Sequence, residues 1–461
     1  MFVGRERELD ELEKYYREGF QFAVFYGRRR VGKTTLINKF REDKESIYFV
    51  AAETTAKENL ELLSTQILSV LAPQAPRNPF NSFNDAFDYC FRAAENRRLI
   101  LVIDEYPYLA ESDRAVSSLL QALIDKHHAK SRLFLILCGS SMSFMENQVL
   151  GYKSPLYGRR TCQFKIMPFS YYESAEMLQG FKNAEKLIFY GMCGGIPEYI
   201  ARINKSLSVQ QNAENLFFNP SGRLFEEPSN LLKQELKTPQ TYNGIIAAIA
   251  SGASKLNEIA TKTGIETSQC SNMLVTLIGL GIVTKESPAG ETQKGSRKTI
   301  YRLADFMFRF WYRFVLPELS RISMGLGKTA CLQAFDNIEP YMGLVFEECS
   351  AQFLWREMGR GAYSFKTLGR WWGTNPKEKR EEEIDLIALG EKGKAIFAEC
   401  KWRNRRMGTE TLEDLIRKSG LFPYCTEKQY ILFSRSGFTG QLAKTAAQRN
   451  DTVLVGLAEM F

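Results

Sequence analysis

Gly27 is followed by Arg28, Arg29, Arg30 and Val31, and then by Gly32, Lys33, Thr34 and Thr35, which is the spacing GxxxxGK[ST]. Glycines at both ends let backbone N–H groups curl around phosphate oxygens. Lys33 neutralises the β and γ oxygens, and the Thr34 hydroxyl ligates magnesium. About 70 residues later the run LILVID ends in Asp104, with Glu105 directly after it. Asp104 is placed to hold the metal. Glu105 is placed to orient and polarise an attacking water, or else to cap the helix that follows. The run LFLILC delivers Gly139, Ser140 and Ser141. A hydroxyl there senses the γ-phosphate or holds the water, or caps a helix from Met142. Arg159 and Arg160, in SPLYGRRT, read either as a finger that reaches a neighbouring subunit's γ-phosphate or as a solvated loop pair.

A second constellation lies in the last third. Tyr341 to Glu357 has a helical pattern and carries Glu347 and Glu348. EEEIDLIAL then ends a strand-like run around Asp385, and KAIFAECKW carries Glu399 and Lys401. The interval from Asp385 to Glu399 accommodates a hairpin. Glu399 and Lys401, two apart on one strand, face the same side. Two carboxylates and a lysine at one sheet edge can hold magnesium, activate water and stabilise the charge of an attacked phosphate, although ExK alone also describes a charged surface hairpin.

These residues need elements to position them. Phe20 to Tyr26 is an aromatic, β-branched strand that stops at Gly27, and TLINKF opens a helix after Thr34. LILVI and LFLILC are continuous apolar runs of the kind found in parallel sheets covered on both faces. From Tyr242 the pattern gives a helix, a second helix over Leu256 to Thr263, a turn at Gly264, and a third helix over Ser268 to Leu280. Strands IVTK and TIYRL follow around a polar loop, which is the order of a winged helix. Between Tyr242 and Leu303 seven bases stand against four acids, mostly on the wing, including Lys294, Arg297 and Lys298. The third helix carries no charge but offers Ser268, Gln269, Ser271 and Asn272 to phosphates or base edges. Such modules also serve as packing lids. Phe306 to Leu316 is an aromatic helix that bridges domains, and Pro376 to Glu383 is a solvated charged loop.

Length and composition set the outer limits. At 461 residues the chain is long enough for about three domains. Apolar residues at 44% and charged residues at 25% exclude disorder and fibrous repeats. No segment reaches the roughly 20 apolar residues of a membrane-spanning helix. Charge in MFVGRERELD and nine scattered cysteines point to a reduced, cytoplasmic compartment. The two histidines, His127 and His128, are adjacent, which leaves no basis for histidine metal sites or Ser/His/Asp chemistry. The net charge of +8 permits nucleic acid without requiring it.

FVGRERELDEL at the start, the phosphate loop, IDEYPYL, the GSS strand end, PLYGRR and GGIPEYI together resemble the AAA-type ATPase superfamily. Within it they resemble the archaeal-type ATPases, close to the signal-transduction NTPase and origin-recognition branches. The resemblance implies ATP as ligand and places Phe2 to Glu8, with Val3, Gly4 and Arg5, near the adenine. It puts the turn Gly195 to Pro197 in a helical lid near the nucleotide, and it calls for an arginine finger, with Arg159 the better match by position and Arg160 also open. The absence of a second-sensor arginine after that turn departs from processive motors. Likewise FE…EID…ECKW resembles the PD-(D/E)xK nucleases, through the domain of unknown function that follows ATPases of this type, with Ile384 in place of the usual proline. That resemblance assigns Glu347 as the helix acid, Asp385 and Glu399 to metal, and Lys401 to phosphate or water.

The expected fold is therefore α/β. It comprises a three-layer P-loop core over residues 1–170, a helical lid over 171–236, a winged helix over 237–305, a helical connector over 306–340 and a small nuclease-like α/β domain over 341–461. The expected activity is ATP binding and hydrolysis that positions the winged helix and nuclease-like domain on DNA, with ATP or ADP and Mg2+ bound, no membrane partner, and a homo-oligomer if Arg159 acts in trans. Two alternatives stand beside it: a nucleotide-gated regulator whose inactive C-terminal domain docks a partner, and a DNA-stimulated remodeller.

Overall fold

The computed structural model describes residues 2–74, 78–291 and 298–461, and the chain forms two compact units, Met1–Pro168 and Phe169–Phe461. In the first, β1 (Gln21–Tyr26), β2 (Ser46–Val50), β3 (Leu99–Asp104), β4 (Leu133–Gly139) and β5 (Cys162–Lys165) pair in parallel in the order β2-β3-β4-β1-β5. Every residue of β1, β3 and β4 is buried, which is why their sequences are apolar without alternation. A parallel sheet brings all its carboxyl ends to one edge. Because β4 lies between β1 and β3, the loop after β1, Asp104 at the end of β3 and Ser140 after β4 share that edge.

The second unit begins with helices that include Tyr171–Met177, Asn183–Cys193 and Val209–Phe217. Three helices follow, Pro239–Ala250, Leu256–Thr263 and Thr267–Gly279, and then the antiparallel hairpin of β6 (Val283–Glu286) and β7 (Ile300–Leu303). Lys294 and Arg297, which the sequence assigned to this hairpin's charge, lie outside the described residues. The aromatic helix starts at Phe306–Phe310 and loosens into a π-helical turn at Trp311–Val315. Trp311 is buried there and donates its indole N–H to the Phe225 carbonyl at 2.6 Å.

The chain ends in a mixed sheet of β8 (Thr367–Asn375), β9 (Arg380–Leu389), β10 (Lys394–Lys401), β11 (Glu427–Ser434) and β12 (Thr452–Gly456), in the order β12-β11-β10-β9-β8. β9 runs antiparallel to both β8 and β10, whereas β10, β11 and β12 are parallel. The helices Thr409–Ser419 and Gly440–Gln448 make the two parallel crossovers. The expected solvated loop is corrected here: Arg380 to Glu383 belong to β9 and pair with Asn375 to Trp372 of β8. Glu382 explains the difference, because it is 6% exposed and takes Arg417 in two hydrogen bonds of 2.7 and 2.8 Å. Among the described residues no helix is long and apolar enough to cross a membrane.

Candidate functional site

The first site is built on the loop from Gly27 to Lys33. Gly27 has φ 147°, and a Cβ there would lie 2.3 Å from the Ile166 carbonyl oxygen, so the position accepts only glycine. Arg30 and Gly32 also take left-handed backbone, at φ 69° and 93°, which turns the loop's amides inward before the helix Lys33–Arg41 begins. Lys33, 7% exposed, donates to the carbonyls of Gly27 at 2.8 Å and Arg28 at 3.0 Å. Its ammonium thus lies inside the loop it would serve. Thr34 and Thr35 occupy the first turn of the helix. Arg5, also buried, donates to the Val31 carbonyl at 3.2 Å, which ties the segment of Val3 and Gly4 to the back of the loop.

The Thr34 hydroxyl donates to Asp104 Oδ2 at 3.0 Å, and the Glu105 amide donates to Asp104 Oδ1 at 2.9 Å. A hydroxyl and a carboxylate side by side at the mouth of a phosphate loop form a donor set that suits Mg2+. Glu105 stands at the N-cap position of the helix Tyr106–Ser112 with φ 50°, yet its side chain does not cap that helix. It accepts instead from the Ser140 hydroxyl at 2.9 Å and the Ser140 amide at 3.4 Å. That separates the two open readings of the GSS segment: Ser140 touches Glu105, while Ser141 opens the short helix Met142–Phe144 without capping it. Arg159 is held within its own chain by Asp125, through hydrogen bonds of 3.0 and 2.9 Å, and Arg160 approaches the Leu150 carbonyl at 3.5 Å. Pro197 begins the helix Pro197–Ile200 in the second unit, after a turn in which Gly195 has φ 70°.

Tyr48 is a contact that the sequence did not disclose. From β2 its hydroxyl donates to the same Asp104 Oδ2 that Thr34 uses. Burial first, and then the Asp104 charge, raise its pKa far above the ordinary tyrosine value, so it remains a donor. The signal is absent from the sequence because it depends on the register that sets Val50 opposite Asp104 and Tyr48 two residues earlier.

In the mixed sheet, Lys401 forms an ion pair with Glu399 and lies 3.6 Å from Asp385 Oδ2, which also accepts from the Cys400 amide at 2.8 Å. Both carboxylates are buried, at 5% and 7% exposure for Asp385 and Glu399. Burial, and then the Asp385 charge, raise the Glu399 pKa. Burial opposes the charge on Lys401, but Asp385 and Glu399 outweigh it and raise its pKa. A pocket of about 370 Å³ opens beside them, lined among others by Glu347, Asp385, Lys401, Trp402 and Arg403.

Glu347 lines the same pocket as Asp385 and Lys401. On β10, residues alternate between the faces. Cys400 bonds to Ser350 of the helix Ile338–Gly359, whereas Glu399 lies 3.9 Å from Lys418 of the helix Thr409–Ser419. The helix that carries Glu347 therefore covers the face opposite Glu399, and Glu347 pairs with Arg370 at 3.0 Å. Burial first, with Asp385 adding to it, pushes the Glu347 pKa up to about 7. Among the described residues no three His, Cys, Asp or Glu side chains converge to hold a metal ion.

A parallel β2-β3-β4-β1-β5 sheet, a glycine-framed phosphate loop at its carboxyl edge and an Asp-Glu pair on the strand beyond its neighbour define a P-loop ATPase. Residues 2–203 match the family of ATPase domains found predominantly in Archaea, and residues 311–412 match a family of archaeal and bacterial proteins of unknown function. The chain belongs to this archaeal-type ATPase family. MJECL04, an uncharacterized protein of Methanocaldococcus jannaschii, is 34% identical over 444 residues, or 94% of this chain and 96% of that one. The uncharacterized ATP-binding protein MJ0423 of the same organism is 52% identical over 46 residues, 10% of this chain and 78% of that one. Among solved structures, the Walker-type ATPase PABY2304 of Pyrococcus abyssi shares the fold with a TM-score of 0.52 at 20% identity, covering 68% of this chain and 96% of that one.

Proposed function

We propose that this ATPase couples the state of its nucleotide to the binding and cleavage of DNA by its second unit. In the first unit, Thr34 and Asp104 would hold Mg2+, which when bound neutralises charge on the phosphates. Lys33 is then drawn from the carbonyls of Gly27 and Arg28 to the phosphate oxygens. Glu105, kept aside by Ser140, is the group that orients and polarises the attacking water. Turnover by the wild type against Glu105→Gln tests this assignment, and equal turnover in the two would remove Glu105 from the mechanism. Arg159 acts on a neighbouring subunit only after its pairing with Asp125 opens.

The observation that carries the second half is a pair of buried carboxylates bridged by one lysine, of which Asp385 and Lys401 line an open pocket. Charges are costly to bury, and Glu399 Oε2 has no hydrogen-bond partner among the described residues, with only the Lys418 ammonium near it at 3.9 Å, so a divalent cation would be a further favourable neighbour. Asp385 and Glu399 would hold it, and the ion would supply a polarised water and charge stabilisation. Lys401 holds an anionic oxygen of the phosphodiester. The exposed Arg403, Arg405 and Arg406 follow Lys401 directly and suit a phosphate backbone. The three helices and the β6–β7 hairpin are read as a winged helix, whose third helix exposes Ser268, Gln269 and Asn272. Plasmid nicking with magnesium or manganese is the test, and nicking that persists in Lys401→Ala overturns this site. The pairing of Glu347 with Arg370 favours a second reading, in which the sheet domain is catalytically silent and docks a partner. Nucleic acid that co-purifies with the protein separates the two.

A further inference from the structure

The helix Thr409–Ser419 buries Leu412 and Leu415 in the apolar cluster of the mixed sheet and carries Asp414, Arg417 and Lys418 along its flank. Asp414 receives both cations, Arg417 Nη2 at 2.7 Å and Lys418 Nζ at 2.9 Å, at the i,i+3 and i,i+4 spacings where side chains on a helix meet. The buried Glu382 fixes Arg417 from the other side, and Arg417 in turn steadies Asp414. The Asp414 side chain is 45% exposed at the rim, whereas that of Lys418 is 13% exposed and carries its ammonium to 3.9 Å from Glu399 Oε2.

That distance is too long for a hydrogen bond, so Lys418 acts on Glu399 through its charge. Lys401 pairs with the other oxygen, Oε1, and the two lysines thus divide the oxygens of one buried carboxylate. Burial, and then Asp385, oppose the charge on Glu399, while Lys401 and Lys418 favour it. Asp385 and Glu399 together set two negative charges against the single positive charge of Lys401. Lys418 balances the remainder, which a buried site would otherwise leave uncompensated. A divalent cation on the same two carboxylates would bring the positive charge that Lys418 now supplies, and like charges so close in a buried site repel. Lys418 has an acid at which to settle, Asp414, at the wetter end of its reach.

We propose that Lys418 is a tethered counter-ion that occupies the place of a divalent cation beside Glu399 and sets the affinity for one, moving fully onto Asp414 when Asp385 and Glu399 take up the metal. The proposal rests on the reading of Asp385 and Glu399 as metal ligands.

The test measures Mn2+ binding to the full chain without nucleotide, by the electron paramagnetic resonance of the free ion, at pH 8 to favour ionised Glu399. Binding that disappears in Asp385→Asn belongs to this site, and only that share is compared. Lys418→Met keeps the reach of the side chain without its charge and should tighten Mn2+ about tenfold. Asp414→Asn removes the alternative partner, leaves Lys418 to Glu399, and should weaken Mn2+ by about the same factor. Combined with Lys418→Met, Asp414→Asn should add nothing, because Asp414 acts through the lysine. Unchanged or weaker Mn2+ binding in Lys418→Met overturns the proposal and leaves the metal reading standing. A further loss when Asp414→Asn is added to Lys418→Met overturns it too, since Asp414 would then act directly. Absence of Asp385-dependent binding in every one of these proteins removes the metal reading itself and this proposal with it.

Discussion

Replacing Glu347 with glutamine should change how the stability of the mixed sheet depends on pH. Burial, reinforced by Asp385, raises this carboxyl from 4.5 to about 7 on folding, despite the opposing Arg370. Between those values the native state keeps a proton that the unfolded chain has released, so stability falls as pH rises through the window and levels off above it. The integrated loss is about 3 kcal/mol, at roughly 1.4 kcal/mol for each unit of difference. Glutamine cannot titrate and removes that loss. It also deprives Arg370 of its closest partner, leaving Glu383 at 3.8 Å, a cost of about 1 kcal/mol. At pH 5 the variant should therefore be slightly less stable than the wild type. At pH 8 it should be more stable by about 2 kcal/mol, because the 3 kcal/mol it recovers exceeds the 1 kcal/mol lost at Arg370. Since a chain of two units need not unfold in one step, native-state hydrogen exchange of β9 and β10 is the suitable assay. Glu399 titrates in both proteins and cancels in the comparison. A wild-type-minus-variant difference that changes by less than about 1 kcal/mol between the two pH values would refute the placement of a strained carboxyl at this position.

Three further outcomes follow from the same geometry. Tyr48→Phe removes one of the two hydroxyl donors on Asp104 Oδ2 and should weaken binding of ATP with Mg2+ by about 1–2 kcal/mol while leaving metal-free ATP binding unchanged, as measured by calorimetry with and without EDTA. Arg417→Ala leaves Glu382 buried with weaker partners and should cost about 2 kcal/mol at neutral pH. Arg417 first holds the Glu382 carboxyl down to about 2, so its stabilisation is complete above about 4.5 and is lost as pH falls towards 2; the variant's deficit should shrink in acid denaturation over that range. Gly195→Ala would put a Cβ 2.1 Å from the Phe169 carbonyl oxygen at φ 70°, and a thermal melt should show a loss of at least about 2 kcal/mol.

What could be read in advance depended on how local each feature is. The phosphate loop, Asp104 and Glu105 are legible because a strand, a glycine turn and a helix are consecutive in the chain and their chemistry is fixed by spacing. Ser140 and Tyr48 were not assigned to their partners, because both contacts cross from one parallel strand to another and depend on strand order. The ExK strand was legible by its period of two, whereas the sequence shows that Glu347 lies on a helix but not that it would pair with Arg370 of β8. β9 begins four residues before the expected strand because REEE looks solvated, and Arg417, 35 positions away from Glu382, is the main partner that makes a buried acid tolerable there.

The hairpin holds contacts that its own charge does not announce. Its sequence has the charge of a DNA-probing wing, yet Lys298 pairs with Glu291 at 2.7 Å and Arg302 with Glu286, and Ala289 packs into the apolar cluster of the mixed sheet beside Trp371 and Leu389. A hairpin so held covers the outer side of β8, the edge strand that would otherwise present unpaired amides and carbonyls to another chain. On the proposed DNA-binding reading, the helix Thr267–Gly279 is the part of this module left to meet DNA, with Val275 66% exposed beside Asn272. It has no charge of its own, so on that reading it would contribute base or shape contacts while the phosphates are met elsewhere. Binding by this unit should therefore owe its salt dependence to Arg403, Arg405 and Arg406. Neutralising these three should flatten the slope of affinity against salt by about three counterions, whereas Val275→Ala should leave that slope unchanged. A slope that stays the same without the three arginines would show that the backbone is bound at another face.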